Sequence, residues 1–203
     1  MKYLFINTAT TNLVVAILIE GKIIYLYNNN DGNDTSSKIM PILDEAFSKS
    51  KITINDIDKI FVVNGPGSFT GIRVGLTIVK TIGYCLNIPV VPISSLEVMA
   101  SGFDTDCMCL IDARRGYVYA GSYDKDLNCL SGDCYILLNS LDMKNLKLIS
   151  FDSFDFEVCK PLIDVVKIIN KHKDDEGVNP HMLNPKYLKL TEAEEKRLND
   201  QGN

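Results

Sequence analysis

A glycine-rich turn that opens a helix is a ready anion site, because its backbone N–H groups and the helix dipole both favour negative charge. Asn64 to Gly75 reads Asn-Gly-Pro-Gly-Ser-Phe-Thr-Gly-Ile-Arg-Val-Gly and has that form. An apolar strand, Ile60 to Val63, precedes it, and a helix is expected over roughly residues 71–86. Ser68 and Thr70 are both suited to cap that helix. The stretch matches neither G-x-x-x-x-G-K-[ST] nor G-x-G-x-x-G, and no lysine follows it. The glycines also continue past the turn: Gly67, Gly71 and Gly75 recur every fourth residue, and Gly83 returns to the same stripe after Val79. A glycine inside a helix costs about 1 kcal/mol relative to alanine. A stripe of them implies another backbone lying close by, and a ligand at the helix N-terminus cannot reach that far. Small residues at this spacing let two helices approach, so the spacing favours a docking face over a phosphate loop. The expected contact residues are Gly67, Ser68, Thr70, Gly71, Arg73, Gly75, Thr77, Val79 and Gly83. On this reading Gly71→Leu or Gly75→Leu abolishes partner binding and leaves the fold largely intact.

Other chemistry is thinly represented. Ser68, Ser94 and Ser95 are possible nucleophiles, but the two histidines, His172 and His181, lie far along the sequence in polar surroundings. Neither has the spacing of a metal site or of a nucleophile–base pair. Cys107-x-Cys109 alternates with Met108 and Leu110 as a strand would, and the six cysteines read as reduced and mostly buried. Asp112-Ala113-Arg114-Arg115-Gly116 is a hairpin turn whose paired arginines make it a possible contact point. Thr8 and Thr10 are expected to be ordinary turn residues.

The elements that must position these residues follow from the apolar patterning. Residues 2–28 read as a three-stranded meander, with turns at Ala9–Asn12 and Glu20–Lys22. A polar loop from Asn28 to Asp34 leads to a helix from Thr35 or Ser36 to about Lys49, in which Pro41 marks a kink or the first turn. Strand 60–64, the glycine helix, a strand at 90–93 and a helix capped by Ser94-Ser95 complete a first unit, residues 1–103. A second unit, 104–190, is expected to hold a hairpin across 107–123, another turn near Gly132-Asp133, a strand at 146–151 and a helix over 156–171. Residues 191–203 are expected to form an exposed tail. Meanders that lead into alternating helices and strands imply mixed sheets covered by helices. With a net charge of −5 and no basic stripe, direct binding to nucleic acid is disfavoured. The apolar opening of the chain is too short for a signal peptide and no run of transmembrane length stands out, so no membrane partner and a cytoplasmic setting are expected.

The run Gly65 to Gly75 closely resembles the signature of the TsaB (YeaZ) family. Leu4 to Thr10 is similar to that family's opening hairpin, Ile111 to Tyr119 to its second-domain hairpin, and Pro185-Lys186-Tyr187-Leu188-Lys189 to its C-terminal signature. Two departures stand out. The opening hairpin carries Asn7 in place of an acidic residue, and Thr35-Ser36-Ser37 replaces a His-Ser-Glu-like segment. The resemblance implies an actin/hexokinase-like (ASKHA) α/β fold of two related units with mixed sheets, the second abbreviated. It implies a non-catalytic subunit in the synthesis of N6-threonylcarbamoyladenosine (t6A) in tRNA. Such a subunit pairs with and activates TsaD, the catalytic paralogue, on which ATP and metal are expected, with none intrinsic to this chain. TsaE is implied as a third component, and a homodimer through the same face when the chain is alone. The alternative is a glycoprotease-like peptidase or a small ATP-dependent enzyme of the actin/hexokinase class.

Overall fold

The structure, a computed structural model, describes residues 1–30, 35–143 and 146–189. The expected tail 191–203 and part of the polar loop before the first helix lie outside the described residues. A five-stranded sheet holds β1 (Lys2–Asn7), β2 (Leu13–Ile19), β3 (Lys22–Asn29), β4 (Lys59–Gly65) and β5 (Val90–Ser94) in the order β3-β2-β1-β4-β5. The meander pairs antiparallel, and β4 and β5 then run parallel to β1 and to each other. Strands β1, β2 and β4 read as continuous apolar runs because both of their faces are covered.

A four-stranded sheet repeats the first part of that plan, with β6 (Cys107–Asp112), β7 (Tyr117–Tyr123), β8 (Cys129–Leu137) and β9 (Lys147–Ile149) in the order β8-β7-β6-β9. Here β9 is parallel to β6, as β4 is to β1. A 3-10 turn at Leu138–Ser140 stands where the first sheet has a full helix, which is how the second unit is abbreviated. The two units are thus related, and the fold is the α/β, actin/hexokinase-like one.

On the first sheet, α1 (Thr35–Ser50) packs on β2 and β3, and α2 (Phe69–Leu86) packs on β4. The short α3 (Ser95–Ala100) is buried along its whole length, touching β4 and β5 on one side and β6 and β7 on the other. A continuous apolar core therefore runs from the first sheet to the second. Each large side chain buried in it, such as Phe5, Phe61, Leu96 or Met99, contributes about 1.5–3 kcal/mol.

Several expectations need correction. Pro41 lies in the second turn of a continuous α1. The helix expected over 156–171 is only α4 (Val165–His172), because Pro161 interrupts the run and Asp164 accepts the Lys167 N–H as its N-cap. The turn expected near Gly132-Asp133 lies earlier. Asp124 accepts from the N–H groups of Asp126 and Asn128, closing the chain there, and β8 continues through Gly132 and Asp133, where its register with β7 shifts. Strand 146–151 shortens to β9. By length and composition α2 alone among the described residues could cross a membrane, and its inner side packs on the sheet.

Candidate functional site

Ser68 is the N-cap of α2, its Oγ accepting from the Gly71 N–H at 3.1 Å, and Asn87 closes the helix in the left-handed conformation. Thr70 is inside the helix and exposed, so it caps nothing. The close neighbour that the glycine stripe demanded is the β1–β2 hairpin of the same chain. A Cβ at Gly67, whose φ is +153°, would run into the Ala9 carbonyl oxygen. A Cβ at Gly71 would strike the Thr8 carbonyl oxygen, and one at Gly75 the Thr8 hydroxyl. The Thr8 hydroxyl donates to the Gly71 carbonyl at 2.7 Å, and the Ser68 N–H donates to the Ala9 carbonyl at 2.7 Å. Gly83 meets Val90, Pro180 and the Ile88 carbonyl further along.

These contacts divide the predicted docking residues. Gly71, Gly75, Val79 and Gly83 are buried within the chain, while Gly67 is half-buried and lines the cleft beside Ala9. Thr8, read as an ordinary turn residue, is the bracket that holds them. Ser68, Thr70, Arg73 and Thr77 are exposed, Ser68 at the hairpin end of the turn and the other three on the opposite side of α2. There Thr70, Arg73 and Thr77, with Phe69, Val74 and Ile78, face Ser36, Ile39 and Met40 of α1 across an open groove of about 480 Å³, whereas Ser68 lines the separate cleft beside Ala9 and Thr10. Phe69 is 54% exposed and Met40 52%, so the groove has an apolar lining open to solvent. The sequence pattern missed Phe69 and the α1 residues. For Phe69 the signal was the outer, non-glycine stripe of α2.

Two of the donors that a phosphate loop would use are spent inside the chain. The Ser68 and Gly71 N–H groups are already engaged, and the cleft of about 190 Å³ beside them is lined by Ala9, Thr10, Ile111, Phe151 and Asp152, among others, with no lysine or arginine among the described residues that line it. Asn7 serves the hairpin: its Oδ1 accepts from the Ala9 N–H at 3.0 Å, and its Nδ2 donates to Thr10 Oγ1 and the Asn12 carbonyl. A neutral amide occupied in this way does not fit the job of orienting a nucleotide-bound cation. The Asp112–Gly116 turn is exposed, with Arg114 and Arg115 both at positive φ and Asp112 Oδ1 accepting from the Arg114 N–H.

Two polar hubs escaped the sequence reading, because their members are far apart in the chain. Asp133, its side chain only 1% exposed, accepts from Ser94 Oγ at 2.5 Å, Tyr123 Oη at 2.6 Å and Lys186 Nζ at 2.7 Å. Burial, and then the Asp133 charge and hydrogen bond, push the Tyr123 phenol far above its ordinary value. Glu97 on α3 holds Lys171 Nζ at 3.0 Å and His172 Nε2 at 2.7 Å, while His172 Nδ1 meets Asp175 at 2.7 Å. Burial alone would lower the His172 pKa, but the hydrogen bonds and charges of Glu97 and Asp175 outweigh it and raise it. His172 thus lies between the Glu97 and Asp175 carboxylates, and Ser94 is both the N-cap of α3 and a donor to Asp133.

A mixed sheet led by a meander, repeated in shortened form and joined through a buried helix, defines the class as an actin/hexokinase-like α/β protein. The sequence model of the family described as "TsaD: tRNA N6-adenosine threonylcarbamoyltransferase" matches residues 33–164. The tRNA threonylcarbamoyladenosine biosynthesis protein TsaB of Bacillus subtilis is 31% identical over 228 residues, covering 99% of this chain and 100% of that protein. Its namesake in Escherichia coli is 32% identical over 133 residues, covering 63% of this chain and 57% of that one. YeaZ from Pseudomonas aeruginosa shares the fold with a TM-score of 0.80 at 20% identity, over 92% of this chain and 99% of that one. The chain belongs to this TsaD-related family and, within it, to the TsaB (YeaZ) family.

Proposed function

We propose that this chain is a non-catalytic subunit of the t6A synthesis machinery that binds a TsaD protein across the α1–α2 groove and activates it. The observation that carries the reading is the two-sided character of α2. Its glycine side is held by the chain's own hairpin, and its other side presents Phe69, Arg73 and Thr77 beside an apolar groove. A helix pair with exposed apolar residues between them suits a helical partner face, with ridges of one seated in grooves of the other. The Ser68 and Ser94 hydroxyls and the His172 imidazole are committed to caps and carboxylates, and the Ser95 hydroxyl is buried on α3, which favours a binding role. On this reading ATP and metal belong to TsaD, TsaE joins as a third protein in the cytoplasm, and the free chain pairs with itself through the same groove, so self-association and TsaD binding exclude each other.

Calorimetric titration tests the proposal. The unaltered chain binds TsaD and raises its t6A formation. Thr77→Arg, a change at an exposed position, keeps the fold and weakens binding by at least about tenfold, or 1.4 kcal/mol. Unchanged affinity in Thr77→Arg, or t6A formation indifferent to the added chain, would overturn it.

A further inference from the structure

The last described residues of the chain reach three places within a few positions of one another. Leu183 is buried, and from there the main chain lies across the end of β4. The Lys186 N–H donates to the Asn64 carbonyl at 2.8 Å, and Asn64 Nδ2 donates to the Asn184 carbonyl at 3.2 Å. The approach is close enough that a Cβ on Gly65 would meet the Lys186 carbonyl oxygen at 3.0 Å. Lys186 then extends its ammonium to the buried Asp133 carboxylate on the second sheet at 2.7 Å. The next residue, Tyr187, goes to α2. Its ring stacks on Phe69 with centroids 5.3 Å apart and planes at 20°, and its Oη accepts from Arg73 Nε at 3.0 Å. The Arg73 guanidinium lies 3.8 Å from the Phe69 ring centroid. Lys189 reaches the ring of Tyr135 on β8 at 5.7 Å.

Phe69 and Arg73 form the rim of the α1–α2 groove at the N-terminal end of α2. On a bare helix surface both side chains would sample several rotamers, and a partner would have to order them on binding. A stacked ring, a cation over its face and a phenolic acceptor hold them in one arrangement beforehand. We infer that Leu183–Lys189 is a strap that sets the rim of the docking groove and ties it to the second sheet. Tyr187 is the positioning residue at the α2 end and Lys186 the anchor at the Asp133 end. The inference rests on the docking role of the groove, and the test separates the two.

Affinity for a TsaD protein is measured by calorimetry, at a temperature where circular dichroism shows every variant folded. Tyr187→Ala weakens binding by about tenfold, the scale of an aromatic pair with its added hydrogen bond. Tyr187→Phe keeps the stacking, loses only the bond from Arg73 and recovers most of the affinity, which a loss through general destabilisation would not require. Lys186→Met touches no residue of the groove and still weakens binding in the same direction, because the strap is released from Asp133. If Thr77→Arg loses binding while Tyr187→Ala and Lys186→Met keep it, the strap inference is overturned and the docking role stands. If Tyr187→Ala weakens binding and Lys186→Met does not, the tie to the second sheet is overturned. If Thr77→Arg binds normally, the docking role fails and the strap inference with it.

Discussion

Thr8 decides what the glycine stripe is for. Its hydroxyl is buried, donates to the Gly71 carbonyl and fills the space that a side chain at Gly75 would need. At Gly71 the obstacle is a main-chain carbonyl, which cannot move without shifting the hairpin, whereas at Gly75 it is a side-chain hydroxyl. Gly71→Ala is therefore expected to destabilise the chain by about 1–3 kcal/mol or more, and by more than Gly75→Ala. Removing the obstacle should relieve the second change but not the first. Thr8→Ala combined with Gly75→Ala costs less than the sum of the two, while Thr8→Ala combined with Gly71→Ala shows no such relief. Urea denaturation of the variants checks both statements, and additivity in the Gly75 pair would show that Thr8 does not set the space there. This replaces the expectation that leucine at either position spares the fold. The spacing of the glycines did reveal that a backbone lies close to α2. It could not say whose, because the partner is Thr8, 63 residues away in sequence.

At the scale of elements, what was legible depended on whether a pattern was local. The meander showed itself through apolar runs divided by Glu20-Gly21, both at positive φ as a tight turn requires. The ends of α4 did not, since apolar residues continue from Phe156 through Val158, and only the proline and the Asp164 cap set the true start. What fastens α4 was also invisible, because Glu97 and His172 are 75 residues apart. This fastening is pH-dependent. The His172 pKa is raised in the folded chain above its ordinary 6.5, although burial by itself lowers it, because Glu97 and Asp175 both face the ring. A histidine shifted in that direction adds its full stability below the unfolded pKa and loses it as pH rises through the folded one. The urea midpoint should thus fall as pH rises from 6.5 upward, and His172→Gln should flatten that slope. Lys171 also holds Glu97, so the carboxylate keeps a partner when His172 is neutral, and the fall is expected to be partial. A variant with the same slope as the unaltered chain would exclude His172 as its source.

For the whole molecule, the question is whether two sheets make two folding units. Their separate topologies suggest so, but α3 is buried between them and the apolar core is continuous across it. Asp133 adds a polar tie, receiving Ser94 from the end of β5, Tyr123 from its own sheet and Lys186 from the strap. Deleting that carboxylate affects its donors unequally. Lys186 is partly exposed and can turn to water, whereas the Tyr123 hydroxyl belongs to a buried residue and would lose its acceptor. One orphaned hydroxyl and a loosened second one place the cost of Asp133→Ala at about 2–4 kcal/mol. If the core binds the sheets into one cooperative body, this loss lowers the midpoint without splitting the transition. The chain has no tryptophan and 9 tyrosines, so tyrosine fluorescence and far-ultraviolet circular dichroism can be followed together. In the unaltered chain and in Asp133→Ala the two signals are expected to coincide, with the variant midpoint shifted down. Two separated transitions in the variant alone would mean that Asp133, and not the shared apolar core, makes the two units fold as one.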